Sequence, residues 1–301
     1  MSSVVVFGAI QQGFLYAILA FGIFISFRIL NVPDLTTEGS FTFGLAVSAA
    51  VTAAGHPILG ILAAIVAGAL AGAVTGFLQT KLMIHPVLAG IITMSGLYSV
   101  NLAVLGSSNL ALTSNMQTVF KLASGLGLSN EAARTGLSVL LCCLTLAIVI
   151  WFFRTHVGMC IRATGDNPDM VRASSINVHR MTTLGLCLSN ALVAFSGGAV
   201  AQYQKFADIS SGTGTLVVGL ASVIIGEAII GKRSVTVGFF SALLGAMIYR
   251  FIYTAAINYS PFPAYMLKLV SAIIVAIALA IPAFRHYAGQ AKIRRGGGKN
   301  A

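Results

Sequence analysis

Acidic residues are scarce in this chain. Seven Asp and Glu stand against 18 Lys and Arg among 301 residues, and only 8% of the chain is charged. A soluble globular domain is about 25% charged, so that class is excluded. Cysteine is sparse as well. Cys142, Cys143, Cys160 and Cys187 lie in or beside apolar stretches, and none forms a C-x-x-C pair. That pattern excludes a zinc or disulfide framework and suits small buried hydrophobes. His56, His85, His156, His179 and His286 sit at turns or loop ends. There is no H-E-x-x-H pair and no G-x-S-x-G elbow, so no catalytic set emerges. No basic stripe is interleaved with aromatics, which argues against nucleic acid despite a net charge of +11. The stretch GEAIIGK, 226–232, imitates a phosphate-binding loop. Arg233 occupies the place of the required hydroxyl, and the segment ends an apolar run, so nucleotide binding is dismissed there.

What the chain does have is long oily runs. Hydrophobic residues make up 57% of it, with mean hydropathy +0.93. Several runs approach the roughly 20 residues that cross a bilayer. Barrel strands would be about half that length and would alternate polar with apolar. The fold class is an all-α polytopic membrane protein with about 8–10 transmembrane helices. Spans are predicted near residues 4–27, 41–54, 58–80, 87–105, 136–153, 181–203, 215–230, 235–253 and 264–284. The first is read as a retained span, not a signal peptide. Residues 1–285 form one transmembrane domain, and 286–301 a basic tail near lipid headgroups.

Lys and Arg concentrate on the cytoplasmic side of membrane proteins. Putting the Arg162 loop inside also puts Arg28, Lys81, Lys232, Arg233 and the tail cations inside. It leaves Lys121, Arg134, Lys205, Arg250 and Lys268 outside. With about nine spans the N-terminus is then outside and the C-terminus cytoplasmic. Gly60, Gly68, Gly72 and Gly76 share the third span, and the last three line one helix face that permits close approach. Gly55-His56-Pro57 and its Gly-spaced span are faintly echoed by Gly231 to Ser234 followed by Gly238 and Gly245. Inverted repeats would look like this, but chance likeness between Gly-rich spans is the stronger explanation from sequence alone.

Two stretches could carry function. The first is LNVPDLTTEGSFTFG, 30–44. Pro33 breaks a helix, and Asp34 and Glu38 follow beside resumed apolar sequence. Irregular backbone at membrane depth must be enclosed by protein or line a cavity, so a broken helix is expected here. Intramembrane polar groups mark pathways by default. The candidates for a translocation pathway are Asn31, Asp34, Thr36, Thr37, Glu38, Ser40, Asn101 and Asn190. For Asn101 and Asn190 an interhelical hydrogen bond is an equal reading. Glu227 reads as an ion pair with Lys232 or Arg233, one turn away.

The second is RATGDNPDMVRASSINVHR, 162–180. Asn167, or Asp166, is a good N-cap, Pro168 suits the first helical position, and Asp169 suits the first turn. A short helix near 167–175 results, with Met170, Val171, Ser174 and Ser175 forming a small face. It reads equally as a knob for a soluble partner or as a solvated loop with one helical turn.

This stretch resembles the cytoplasmic coupling loop of ABC-importer permeases of the branched-chain amino-acid and ribose type, which reads R-A-x-G-x-N-x-x-A-A-x-x-x-G-I. Arg162, Ala163, Gly165, Asn167, Pro168, Ala173 and Ile176 fit. Ser175 stands where Gly is common, and Val171-Arg172 replaces a small pair. Residues 30–44, the third span and 219–245 are similar in order and spacing. NVPDLTTEGSFTFG looks closest to a branch whose binding proteins take tryptophan, tyrosine or related ligands. The resemblance implies a permease that binds no cofactor itself and pairs with a second permease, with identical copies expected. It also implies two ATPase subunits that use ATP and an extracytoplasmic binding protein. Arg162, Gly165, Asp166, Asn167, Pro168, Arg172, Ala173 and Ile176 would couple to the ATPase. The bacterial inner membrane would be its location. The rival is an ion-coupled secondary transporter with Asp34, Glu38 or Glu227 carrying protons.

Overall fold

The computed structural model describes residues 3–113, 116–125, 129–231 and 234–259, with 269, 271–273, 275, 276 and 280 beyond them. Most of the span expected at 264–284, and all of the basic tail, lie outside the described residues. Among the described residues the regular structure is helical, save for one two-stranded ribbon. Six helices are long and apolar enough to cross a membrane. They are α1 (Ser3–Phe24) with the π-helical turn Ile25–Ile29 that continues it, α3 (Pro57–Thr80), α4 (Pro86–Leu105), α6 (Asn130–Phe152), α9 (Val178–Gln204) and α11 (Val235–Tyr259). Between them stand α2 (Thr36–Ala53), the short α5 (Val119–Ser124), α7 (His156–Asp166), α8 (Pro168–Ala173) and α10 (Thr215–Ile230). Strands β1 (Asn109–Ala111) and β2 (Phe206–Asp208) pair antiparallel at the end of the bundle opposite α7 and α8.

Helix α9 is the hub. Its most apolar window is 83% buried, against 50% or less in the other five spans. The polar residues that interrupt it point into neighbours. Ser189 Oγ donates to the Gly22 carbonyl at 2.7 Å and Ser196 Oγ to that of Leu15 at 2.8 Å. Gln202 Nε2 donates to the Pro57 carbonyl at 2.8 Å. Each is therefore satisfied without water, as a buried polar group must be.

Helix α3 lies antiparallel along α9, and its glycine stripe explains how closely. A Cβ at Gly68 would stand 2.3 Å from the Asn190 carbonyl oxygen, and one at Gly72 2.4 Å from that of Leu186. Only a face without side chains lets the backbones meet. The second half of the chain repeats this plan upside down. Helix α11 lies antiparallel along α1, with Gly238 under Phe24 and Gly13 under Met247. The short helices match too: α2 runs parallel to α9 (Gly44 at Ala194) and α10 parallel to α1 (Gly219 at Ile23). The faint echo in the sequence is thus a structural repeat of inverted topology, and the chance reading is corrected. Gly55 (φ 96°) and Gly231 (φ 90°) stand at corresponding places, just after α2 and just after α10.

The break is as expected, with helix resuming at Thr36, five residues before the predicted start at Phe41. Helix α6 likewise begins at Asn130, not Gly136, because Ser129 caps it by accepting from Ala132 N–H. Substituting Gly68 with Val should destabilise the protein by about 1–3 kcal/mol through overpacking. Gly96→Val, where a Cβ meets nothing within 4 Å, should leave stability unchanged. Unfolding temperatures of the two variants in detergent check this.

Candidate translocation and coupling site

Between Leu30 and Leu35 the backbone has left one helix and not yet entered the next. Asp34 supplies what the break lacks. Its carboxyl, 0% exposed, accepts from Thr36 N–H at 2.9 Å and from Asn190 Nδ2 at 2.7 Å. The Asp34 carbonyl accepts from Thr37 Oγ1 at 2.6 Å. Asn190 is the clamp: its Oδ1 accepts from Ser40 Oγ at 2.7 Å, so one α9 side chain holds both the start and the second turn of α2. Thr36 Oγ1 lies 2.8 Å from Thr75 Oγ1, which donates to Thr93 at 3.0 Å and ties in α3 and α4. Asp34, Thr36, Thr37, Ser40 and Asn190 therefore form one enclosed network inside the subunit.

Glu38 and Asn101 are placed differently. Both line a cleft of about 450 Å³ between α2, α4 and the 209–213 segment. Ser95 and Tyr98, both exposed, stand at its mouth. Glu38 Oε1 accepts from Gly214 N–H at 2.9 Å. Gly214 is the N-cap of α10, so the Glu38 carboxylate lies in the first turn of α2 and against the start of α10. Both ends carry the positive pole of a helix dipole. Asn101 Nδ2 donates to the Gly39 carbonyl at 3.3 Å, and its Oδ1 is buried with no hydrogen-bond partner among the described residues. The segment 205–214 returns into the bundle as far as Glu38, where Gly212 sits against the Glu38 carbonyl and Gly214 N–H donates to the Glu38 carboxylate.

The loop at the other end is built as its sequence chemistry requires. Asn167 Oδ1 accepts from the N–H groups of Asp169 (3.1 Å) and Met170 (3.0 Å), and Pro168 opens α8. Arg172 pairs with Asp169 at 2.8 Å. Val171 is 1% exposed and anchors the knob, while Met170 is 58% exposed. The expected small face is thus split, one residue inward and the rest outward. Ser175 has φ 61°, the left-handed region glycine enters freely, which accounts for the glycine common there in the resembling loops. Helix α7, unforeseen in the sequence, carries Arg162, Gly165 and Asp166. Ala173 is exposed and Ile176 half-buried below it, with its N–H donating to the Val171 carbonyl at 3.2 Å.

The knob is fastened to the break. Asn31 Nδ2 donates to the Gly165 carbonyl at 3.0 Å, and a Cβ at Gly165 would stand 1.8 Å from the Ile29 carbonyl oxygen. A second cavity of about 350 Å³ adjoins this contact, lined by Arg28, Asn31, Arg162, Asp166 and Glu227. Arg28, on the π-helical turn, pairs with Glu227 of α10. That partner lies 199 residues away in sequence and was not foreseen. Lys232 and Arg233, the partners expected for Glu227, lie outside the described residues.

A multi-pass bundle with a helix broken at depth, and an exposed knob pinned to that break, is the architecture of a transport permease. The branched-chain amino acid transport system / permease component family matches residues 5–279, and the chain belongs to it. The tyrosine transport system permease protein of Clostridioides difficile is 33% identical over 276 residues, 91% of this chain and 90% of that one. An uncharacterised protein of Rickettsia prowazekii is 31% identical over 90% of this chain and 95% of its own. The ribose import permease protein of Escherichia coli is 25% identical over 91% and 84%. No solved structure matches. The chain is therefore a transport subunit of an ABC importer and not an enzyme, with ATP hydrolysis on a separate subunit. Family permeases work with an ATPase and a substrate-binding protein. This sets aside the ion-coupled rival.

Replacing Asn190 with Leu leaves the Asp34 carboxyl and the Ser40 hydroxyl buried without their partner. Stability should fall by about 1–3 kcal/mol, the cost of leaving a buried polar group without its partner. Chemical unfolding of the purified variant measures it.

Proposed function

We propose that this chain is the permease of a bacterial amino-acid importer of the inner membrane, with an aromatic amino acid as substrate. The relationship to a tyrosine transport permease across nine-tenths of both chains supports the amino-acid class. In this reading α7 and α8 face the cytoplasm, as do the basic tail and the C-terminus. Two permease copies face each other, and the Glu38–Asn101 cleft, opening past Tyr98, lies along the route between them. Two ATPase subunits, which hold the ATP, grip the exposed tip of α8, and this chain binds no cofactor.

One observation carries the coupling assignment: the knob's base and the break share backbone-level contact through Gly165, Ile29 and Asn31. A side-chain hydrogen bond to a carbonyl and a glycine seated on another carbonyl leave little slack. Displacing α7 displaces the end of α1 and the start of α2. The remaining pathway candidates, Asp34, Thr36, Thr37, Ser40 and Asn190, then keep α2 rigid while it moves and do not touch cargo.

The Met170 side chain projects from α8 and is 58% exposed. Met170→Asp in the reconstituted complex should cut ATP-driven tyrosine uptake at least tenfold without lowering the permease's unfolding temperature. Unchanged uptake would remove α8 from the coupling role. Uptake that continues without ATP and stops with a protonophore would remove the importer reading altogether.

A further inference from the structure

Arg250 was counted on the outer side from charge bias, near the end of the span expected at 235–253, and α11 runs on past it to Tyr259. It stands 15 residues along α11, about 22 Å from the helix start. A cation at such depth costs at least about 2.5–3.5 kcal/mol and is kept for a pathway or a partner. Its local partners among the described residues are neutral. Nη2 donates to Gln12 Oε1, and the guanidinium lies 4.3 Å from the Tyr16 ring centroid and 5.2 Å from that of Tyr253. The two ion pairs among the described residues, Arg28–Glu227 and Arg172–Asp169, leave Arg250 without a carboxylate. Its Nε is buried and has no hydrogen-bond partner among the described residues.

The arginine faces a cavity of about 340 Å³. Ser210, Ser211 and Thr213 contribute hydroxyls to its wall, and the start of α10 forms its floor. Gly214 caps α10 with no side chain of its own, and the carboxylate that meets this helix start, Glu38, lines the neighbouring cleft and not this chamber. A guanidinium without a carboxylate among the described residues converges with the hydroxyls of Ser211 and Thr213 on one small chamber. We propose that this chamber is a carboxylate-binding site, taking the carboxylate of a small amphipathic solute against Arg250. If the amino-acid reading above holds, on which this assignment of the ligand's source rests, that carboxylate is the substrate's. Tyr16 and Tyr249 then supply walls for its apolar part. The match is chemical: guanidinium to carboxylate is a charge-assisted hydrogen bond, shorter and stronger than a neutral one.

The test uses the full-length chain in nanodiscs of zwitterionic lipid, with benzoate as the probe and benzamide as its neutral counterpart. Saturation-transfer NMR and unfolding temperature report binding. Benzoate should bind wild type at least tenfold more tightly than benzamide. Arg250→Gln should lose that preference, and Arg250→Lys should keep part of it. Equal binding of benzoate and benzamide to wild type overturns the site without recourse to any variant. So does benzoate affinity that survives in Arg250→Gln. Stabilisation that appears only with phosphatidylglycerol, and depends on Arg250, would make this a lipid headgroup site and also overturn the proposal. A complex that fails to transport tyrosine while its permease keeps the benzoate preference would refute the substrate reading and leave the site standing.

Discussion

A backbone that leaves its helix inside a bilayer must find every hydrogen bond within the protein, since lipid offers none. Here that demand falls on Asp34 and Asn190. Asp34 closes the turn into α2, and Asn190 holds Asp34 with one end of its amide and Ser40 with the other. Asn190 can do so because α9 is enclosed on all sides, and α9 is enclosed because glycine faces let α3 lie against its backbone. The carbonyl of Asn190 itself lies over Gly68. The same residue is therefore the floor for α3 and the clamp for α2. A change at this point would disturb three helices together, so the break is as rigid as the spans around it.

Rigidity at the break is what makes a link to the loop useful. Tightly packed interiors do not deform smoothly but shift between discrete arrangements. The contact of Gly165 with Ile29, reinforced by Asn31, joins the loop to the point where α1 ends in a π-helical turn. Such turns recur at functional sites because they shift the register of a helix by one residue. Arg28 on that turn reaches across to Glu227, which brings α10 into the same junction. The knob thus bears on both short helices: on α2 through the break, and on α10 through the ion pair.

Much of this was legible in the residues, and the rest was hidden for physical reasons. Periodic apolar runs located the spans, and cap chemistry at Asn167-Pro168 located α8, because both signals are local. The Pro33 break was legible because proline cannot continue a helix. The division of the polar candidates was not legible. Thr36 and Glu38 lie in one short stretch, yet the first is enclosed and the second borders a cleft. Nothing in the sequence says which face of α2 meets α9. The Arg28–Glu227 pair was masked by nearer cations, and Arg250 by an apolar run that continued past it. A basic residue followed by further apolar sequence was the signal to heed.

The inverted repeat was nearly invisible for another reason. What the two halves share is backbone geometry, small residues where helices meet, and that leaves a weak trace. What they do not share is chemistry. In the first half the short helix carries its own acid, Glu38, in its first turn. In the second half α10 begins at a bare glycine and takes its cap from Glu38 across the midline. The segment 209–214 consequently separates an acid-lined cleft from an arginine-lined chamber, and Thr213 lines both. Moving the start of α10 alters the two cavities at once. One tilts toward the acid of the first half, the other toward the arginine of the second. A symmetric scaffold thus carries asymmetric charge, and one helix end borders both cavities.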